Sequence, residues 1–101
     1  GVNLLSEASC RRMLEEQIDG TDAALMMPIR FGMGYAFPNA LMPMSPSQSG
    51  MFWGGAGGST IVVDQEHRVC LSYVMNQMAP AIVGDSRGGS LGKAFYDALL
   101  T

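Results

Sequence analysis

The stretch Phe52-Trp53-Gly54-Gly55-Ala56-Gly57-Gly58-Ser59 runs straight into Thr60-Ile61-Val62-Val63, so four glycines and the chain's one tryptophan stand at the mouth of a β-branched run. Glycine just before or within a strand marks a bulge, a sharp bend or the close approach of another backbone. Such a lip supports two readings equally. Its backbone N–H groups can be fixed in place to receive a developing negative charge. Alternatively, the glycines let the strand bend beneath a neighbour. A phosphate cradle does not fit: the G-x-G-x-x-G spacing and the Walker lysine are missing, and the run leads into a strand rather than a helix.

Downstream, Ser59–Val63 and Val69–Met75 read as two strands joined by the polar turn Asp64-Gln65-Glu66-His67-Arg68, an antiparallel hairpin. Both strands are largely apolar on both faces, as expected for a sheet covered on two sides. Residues 76–84 read as a loop. Asp85 or Ser86 then caps a closing helix over residues 86–100, with Leu91, Phe95, Ala98 and Leu99 sharing its buried face. Gly88, Gly89 and Gly92 weaken its first half.

Upstream, Ser6 caps a helix expected from Glu7 to Ile18, with Ala8, Met13, Leu14, Gln17 and Ile18 recurring at helical spacing along one side and Asp19-Gly20 as its stop. Residues 21–28 read as a connector. Ile29 to Phe37 alternates, with large apolar residues at odd positions and Arg, Gly, Gly and Ala at even ones. It reads as one strand with a bulky face and a bare face, where either a packed helix or a pocket wall fits. Residues 38–51 carry three prolines and three methionines. They read as a long loop, either flanking an apolar site or making a surface connection.

Length and composition bound the rest. A chain of 101 residues is one domain at most. It is 48% apolar and only 15% charged, with nine methionines, an apolar excess that points to a fragment or an obligate partner. Gly1 rather than methionine begins the chain, which reads as a processed end. A net charge of −3 and the lack of a basic cluster beyond Arg11-Arg12 argue against nucleic acid. No apolar run reaches the length of a membrane span, and Gly1–Leu5 has no signal-peptide character. Cys10 and Cys70 read as buried, reduced thiols, which suits the cytoplasm.

Three motif matches carry no chemistry. Gly88-Gly89-Ser90-Leu91-Gly92 fits G-x-S-x-G, but the preceding strand ends too early and His67, the one histidine, comes before it. Ser90-Leu91-Gly92-Lys93 fits S-x-x-K without a Tyr-x-Asn partner. Asp64, Glu66 and His67 could suggest a metal, but one histidine with two carboxylates in a turn reads as a solvated turn. No metal or other cofactor is expected.

The order of features resembles the C-terminal part of serine hydrolases with the class C β-lactamase fold, and most closely the family VIII carboxylesterases. The signature is Trp53-Gly54-Gly55-Ala56-Gly57-Gly58-Ser59, then a hairpin, Tyr73-Val74-Met75-Asn76, a loop and a terminal helix. In that superfamily a Lys-Thr-Gly-type triplet on the active-site edge strand lines the substrate cleft, and the esterases often carry Trp-Gly-Gly there. The resemblance implies that Trp53, Gly54 and Gly55 line the substrate site. It also implies that the Ala56 N–H is one oxyanion donor and that Asn76 lies near the substrate rim. It extends, less specifically, over residues 4–37.

The implied fold is α+β: an antiparallel sheet of at least three strands with the first and last helices packed against it. All of residues 1–101 would form the C-terminal segment of a β-lactamase-like domain. The family's nucleophilic serine, its S-x-x-K lysine and its Tyr-x-Asn tyrosine belong to a larger preceding portion. Tyr73 stands one residue too far from Asn76 to serve as that tyrosine. The chain alone is therefore expected to be inactive. Its implied partners are the N-terminal part of the same enzyme, docked at the sheet edge and the bare side of Ile29–Phe37, and a small ester. A β-lactamase or acyltransferase of the same fold, and a non-catalytic binding or assembly module, are the alternatives.

Overall fold

The computed structural model describes residues 3–101. Gly1 and Val2, the head of the stretch read as lacking signal-peptide character, lie outside them. The chain forms helix α1 (Glu7–Met13), six strands, and helix α2 (Ser86–Leu99). The strands are β1 (Ile18–Thr21), β2 (Pro28–Phe31), β3 (Ala36–Phe37), β4 (Met51–Gly54), β5 (Thr60–Asp64) and β6 (Val69–Tyr73). They make one antiparallel sheet in sequence order, β1-β2-β3-β4-β5-β6. The α+β expectation with at least three antiparallel strands is borne out.

The first helix is shorter than that spacing suggests. Ser6 caps it as expected, its hydroxyl accepting the Ser9 N–H at 3.1 Å. After Met13 the chain tightens: Leu14 and Glu15 N–H reach back three residues, to the Arg11 and Arg12 carbonyls at 3.0 and 3.1 Å. The Gln17 N–H then bonds the Phe31 carbonyl at 2.8 Å, and Ile18 pairs with Phe31. Sheet pairing thus overrides the helical pattern at Gln17 and Ile18. No residue of α1 is fully buried, Cys10 and Met13 are half-buried, and the Met13 carbonyl stands 3.2 Å from where a Cβ on Gly32 would lie.

The alternation over residues 29–37 belongs to a hairpin, not to one long strand. The Gly32 N–H bonds the Tyr35 carbonyl at 2.8 Å, and Gly34 has a positive φ of 93°, which turns β2 back into β3. The even-numbered glycines therefore leave no continuous bare face for docking. A Cβ on Gly32 would lie 2.8 Å from the Phe37 ring, so that space is already filled. The connector expected at residues 21–28 is a tight link instead. The Asp22 carboxylate accepts the Ala24 and Leu25 N–H groups at 2.8 and 2.7 Å.

The β5–β6 hairpin and α2 form as expected, with Asp85 as the cap. The alternation in β5 is sharp: Thr60, Val62 and Asp64 are buried, Ile61 and Val63 half-buried. Strand β6 is an edge with Cys70 and Ser72 exposed, so the sheet is not covered on both sides. Cys70 is accordingly exposed and Cys10 half-buried, and neither is paired.

Helix α2 lies on the covered face through Gly88, Gly92 and Tyr96, spaced four residues apart. Leu91 and Leu99, expected on the buried stripe, are exposed. The glycines let the helix come close: a Cβ on Gly88 would stand 2.9 Å from Thr60 Oγ1. The core joins Ile29, Ala36, Phe52, Val62 and Tyr96. Burying each large apolar side chain there contributes about 1.5–3 kcal/mol.

Candidate functional site

Strand β4 is paired on both sides, so the Trp-Gly-Gly strand is not a sheet edge as the resemblance implied; the edges are β1 and β6. Its pairing with β3 stops at Ala36↔Phe52, however, whereas its pairing with β5 continues to Gly54↔Thr60. Trp53 and Gly54 therefore extend past β3 with no strand partner on that side.

The glycines that follow are explained by what packs on them. A Cβ on Gly54 would fall 2.3 Å from the Gly84 nitrogen. Gly57 and Gly58 have positive φ values of 99° and 125°. A Cβ on Gly57 would meet the Met75 and Met78 methyls, at 2.7 and 2.8 Å, and one on Gly58 would meet the Asp85 carboxylate at 2.5 Å. Close approach by the segment from Met75 to Asp85 is thus the local reason for this composition.

The turn is fastened at several points. Gly55 N–H bonds the Ser59 carbonyl at 2.9 Å, and Gly58 N–H the Gly55 carbonyl at 3.2 Å. Gly57 N–H donates to the Ala81 carbonyl, and the Gly57 carbonyl accepts from Ala79 N–H, both at 2.9 Å. Arg87 adds a charged bond to the same Gly57 carbonyl at 3.1 Å. Ala56 is exposed, and among the described residues its N–H has no acceptor. Every other residue from Gly55 to Gly58 donates its N–H to a carbonyl.

Trp53 lines two hollows. One, of about 240 Å³, is bounded by Trp53, Gly54, Gly55, Ser59, Ile61 and Tyr73. The other, of about 300 Å³, is bounded by Trp53, Phe31, Ile29, Leu25 and Ile18. The Phe31 ring meets Trp53 edge-on at 5.1 Å and 86°, which fixes the indole. The residues expected at the site therefore divide. Trp53, Gly54, Gly55 and Ala56 are contiguous along β4 and its turn. Asn76 is exposed beside Met75 on the segment that packs over Gly57, and neither Ala56 nor Asn76 lines either hollow.

A second polar cluster lies at the far end of β5, about 13 Å away at 3.3 Å per residue. Asp64 was expected in a solvated turn but is 1% exposed. Its carboxylate accepts the Ser45 hydroxyl at 2.9 Å, the Tyr96 hydroxyl at 2.8 Å and the His67 N–H at 3.0 Å; His67 Nδ1 lies at 2.9 Å. Burial alone would raise its pKa. The bonds from His67, Tyr96 and Ser45 outweigh burial and hold it at about 2. Burial pushes the Tyr96 hydroxyl up to about 12; its bond to Asp64 adds to the rise and Ser45 opposes it.

This cluster is no catalytic triad, because the carboxylate, not the imidazole, sits between the hydroxyl and the other partner. It ties the residue 38–50 loop to α2 instead, so that loop serves the core rather than flanking Trp53. A groove of about 850 Å³ lies there too, between residues 43–46 and α2, away from the Trp-Gly-Gly strand. Among the described residues no cluster suits a metal. Ser90 is exposed on α2, and Lys93 is engaged by Asp97 at 2.6 Å rather than by Ser90.

Residue identity alone did not single out Arg87. Its guanidinium bonds the Gln77 carbonyl at 2.7 Å as well as that of Gly57, and Asp85 grips it at 2.5–3.2 Å. The bonds to Arg87 lower the Asp85 pKa, and those to Asp85 raise that of Arg87. An Asp-x-Arg at a helix start after a loop was the available signal.

This sheet and its helices form a fragment of a β-lactamase-like fold, the class to which the Trp-Gly-Gly signature pointed. Solved structures that carry the likeness include two that overlap nearly all of this chain. One is a family VIII carboxylesterase, 29% identical over 92% of this chain and 25% of its own, with a TM-score of 0.83. The other is a novel penicillin-binding protein homologue from Caulobacter crescentus, 28% identical over 97% of this chain and 26% of its own, with a TM-score of 0.89. The chain thus spans about a quarter of the length of either. No family model matches the sequence, and no curated protein matches it. Among the described residues no helix is long and apolar enough to cross a membrane.

Proposed function

We propose that this segment is the C-terminal piece of a serine carboxylesterase that hydrolyses small carboxylic esters through an acyl-enzyme. The observation that carries the reading is the Ala56 N–H, left without an acceptor on a turn otherwise held by hydrogen bonds, one residue beyond Gly55, which lines the hollow beside Trp53. A serine in the remaining polypeptide attacks the ester carbonyl. The carbonyl oxygen takes up the negative charge between that serine's own N–H and the Ala56 N–H. The alcohol leaves, and water then releases the acid and restores the serine. Trp53, Gly54 and Gly55 wall the acyl or alcohol group, and Asn76 lies near the rim. The serine, its S-x-x-K lysine and the Tyr-x-Asn tyrosine come from the larger portion, so the segment alone is inactive. Two unpaired cysteines support a reducing, cytoplasmic setting.

Likeness to a penicillin-binding protein homologue favours one second reading, a β-lactamase or acyltransferase. Trp53 in place of the usual lysine weighs against it, because the cation that would meet a drug carboxylate is gone. The test uses the full-length polypeptide that carries this segment. Ala56→Pro deletes the donor, whose loss raises the barrier by about 3–4 kcal/mol, so turnover of a short-chain nitrophenyl ester should fall by a hundredfold or more, on the order of the effect of one oxyanion donor. Full turnover in that variant refutes the assignment. Faster turnover of a chromogenic cephalosporin than of the ester favours the second reading.

A further inference from the structure

Resting on the oxyanion reading of Ala56, we infer that Arg87, gripped by Asp85, is a positioning residue that holds the Ala56 turn in its donor geometry. The start of α2 thereby becomes part of the catalytic apparatus without touching substrate.

Turn residues 55–58 have two glycines at positive φ, and a glycine-rich turn samples many conformations when left to itself. An oxyanion donor is effective only if it is fixed before charge develops. One backbone bond fixes the Gly57 N–H, and a second backbone bond and one side chain fix its carbonyl. The side chain is Arg87, whose two terminal nitrogens reach the Gly57 carbonyl at 3.1 Å and the Gln77 carbonyl at 2.7 Å. One planar group thus spans the turn and the segment packed over it, a fork that a lysine cannot reproduce.

Asp85 performs two tasks. Its Oδ1 caps α2 by accepting the Arg87 N–H at 2.9 Å, and its carboxylate holds Arg87 Nε at 3.0 Å and Nη2 at 2.5 Å. The rigid 14-residue helix anchors the brace. Gly58 is the contact point: any side chain there would strike the Asp85–Arg87 pair.

A misplaced reacting group by about 1 Å loses on the order of a hundredfold in rate. In the full-length polypeptide, Arg87→Ala should therefore lower kcat between about ten- and a hundredfold while KM stays within about twofold. Arg87→Lys should restore part of that loss. Asp85→Asn keeps a good helix cap but loses the charged grip, so it should also lower kcat.

Amide hydrogen exchange supplies a readout independent of chemistry. Arg87→Ala should speed exchange in residues 55–58 and 77–81 and leave the second half of α2 unchanged. Unchanged exchange in residues 55–58 overturns the inference, as does an equal acceleration along all of α2, which would mark Arg87 as a cap residue only. If Ala56→Pro keeps full turnover, the oxyanion reading fails instead; the exchange result still decides whether Arg87 braces the turn.

Discussion

Asp64→Asn is the substitution whose consequence can be worked furthest. The buried carboxylate is held by Ser45, Tyr96 and both the N–H and ring of His67. Each factor of ten in acidity corresponds to about 1.4 kcal/mol. A carboxyl held at about 2 instead of 3.8 therefore contributes about 2.5 kcal/mol of stability at neutral pH. Because the folded-state pKa is the depressed one, that contribution is complete above about pH 5 and is lost as the pH falls through 4 towards 2. Asparagine keeps the shape but cannot ionise. The variant should be less stable than the parent by about 2–3 kcal/mol at pH 7, and the gap should shrink to about 1 kcal/mol by pH 2.5. Urea unfolding of the full-length polypeptide, with exchange at the β5 and α2 amides as the local probe, measures both gaps. The same gap at the two pH values would refute an ionised Asp64 as the source of the stability.

Two adjacent glycines of α2 should respond in opposite directions. Gly88→Ala places a Cβ 2.9 Å from Thr60 Oγ1 and 3.3 Å from its Cβ, and should destabilise by about 1–3 kcal/mol. Gly89→Ala meets nothing within 4 Å and should stabilise by about 0.5–1 kcal/mol through helix propensity. Thermal unfolding reads both, and a shift of the same sign in the two variants would contradict the packing described for α2. Trp53→Ala removes a side chain that lines both hollows beside β4 and enlarges them, so hydrolysis should shift towards longer ester chains. An unchanged chain-length profile removes Trp53 from the pocket.

The elements that sequence could reveal were those specified by local pattern. A β-branched run, a polar turn and a second run gave the β5–β6 hairpin, and Asp85 before a helical stretch gave α2. Residues 29–37 show the limit: strict alternation fits one strand or a hairpin equally well, and only the positive φ of Gly34 decides between them. Gln17 and Ile18 continue a helical pattern, yet the Gln17–Phe31 bond draws them into the sheet, a partner distant in sequence.

The site divides in the same way. Trp53-Gly54-Gly55-Ala56 stood out by composition. Arg87 did not, because its role depends on carbonyls 10 and 30 residues away. Asp64 was readable in hindsight, since it falls in phase with buried Thr60 and Val62 along β5. What no local pattern showed was Tyr96, four residues on from Gly92, arriving to meet it.

The open flank at β6 has a practical consequence for anyone who isolates this segment. Strand edges with unpaired backbone groups are templates for further strands, and proteins usually blunt them with prolines, lysines or a covering element. Strand β6, Val69-Cys70-Leu71-Ser72-Tyr73, carries no proline and no charge, and Val74 just beyond it is 80% exposed. Prepared on its own, the chain presents an edge with no such guard, a template for edge-to-edge stacking, and Cys70 on it is exposed. Its solubility is therefore a property to be secured by what lies against that strand, and a charged or proline-bearing substitution in β6 is the rational first step in preparing it alone.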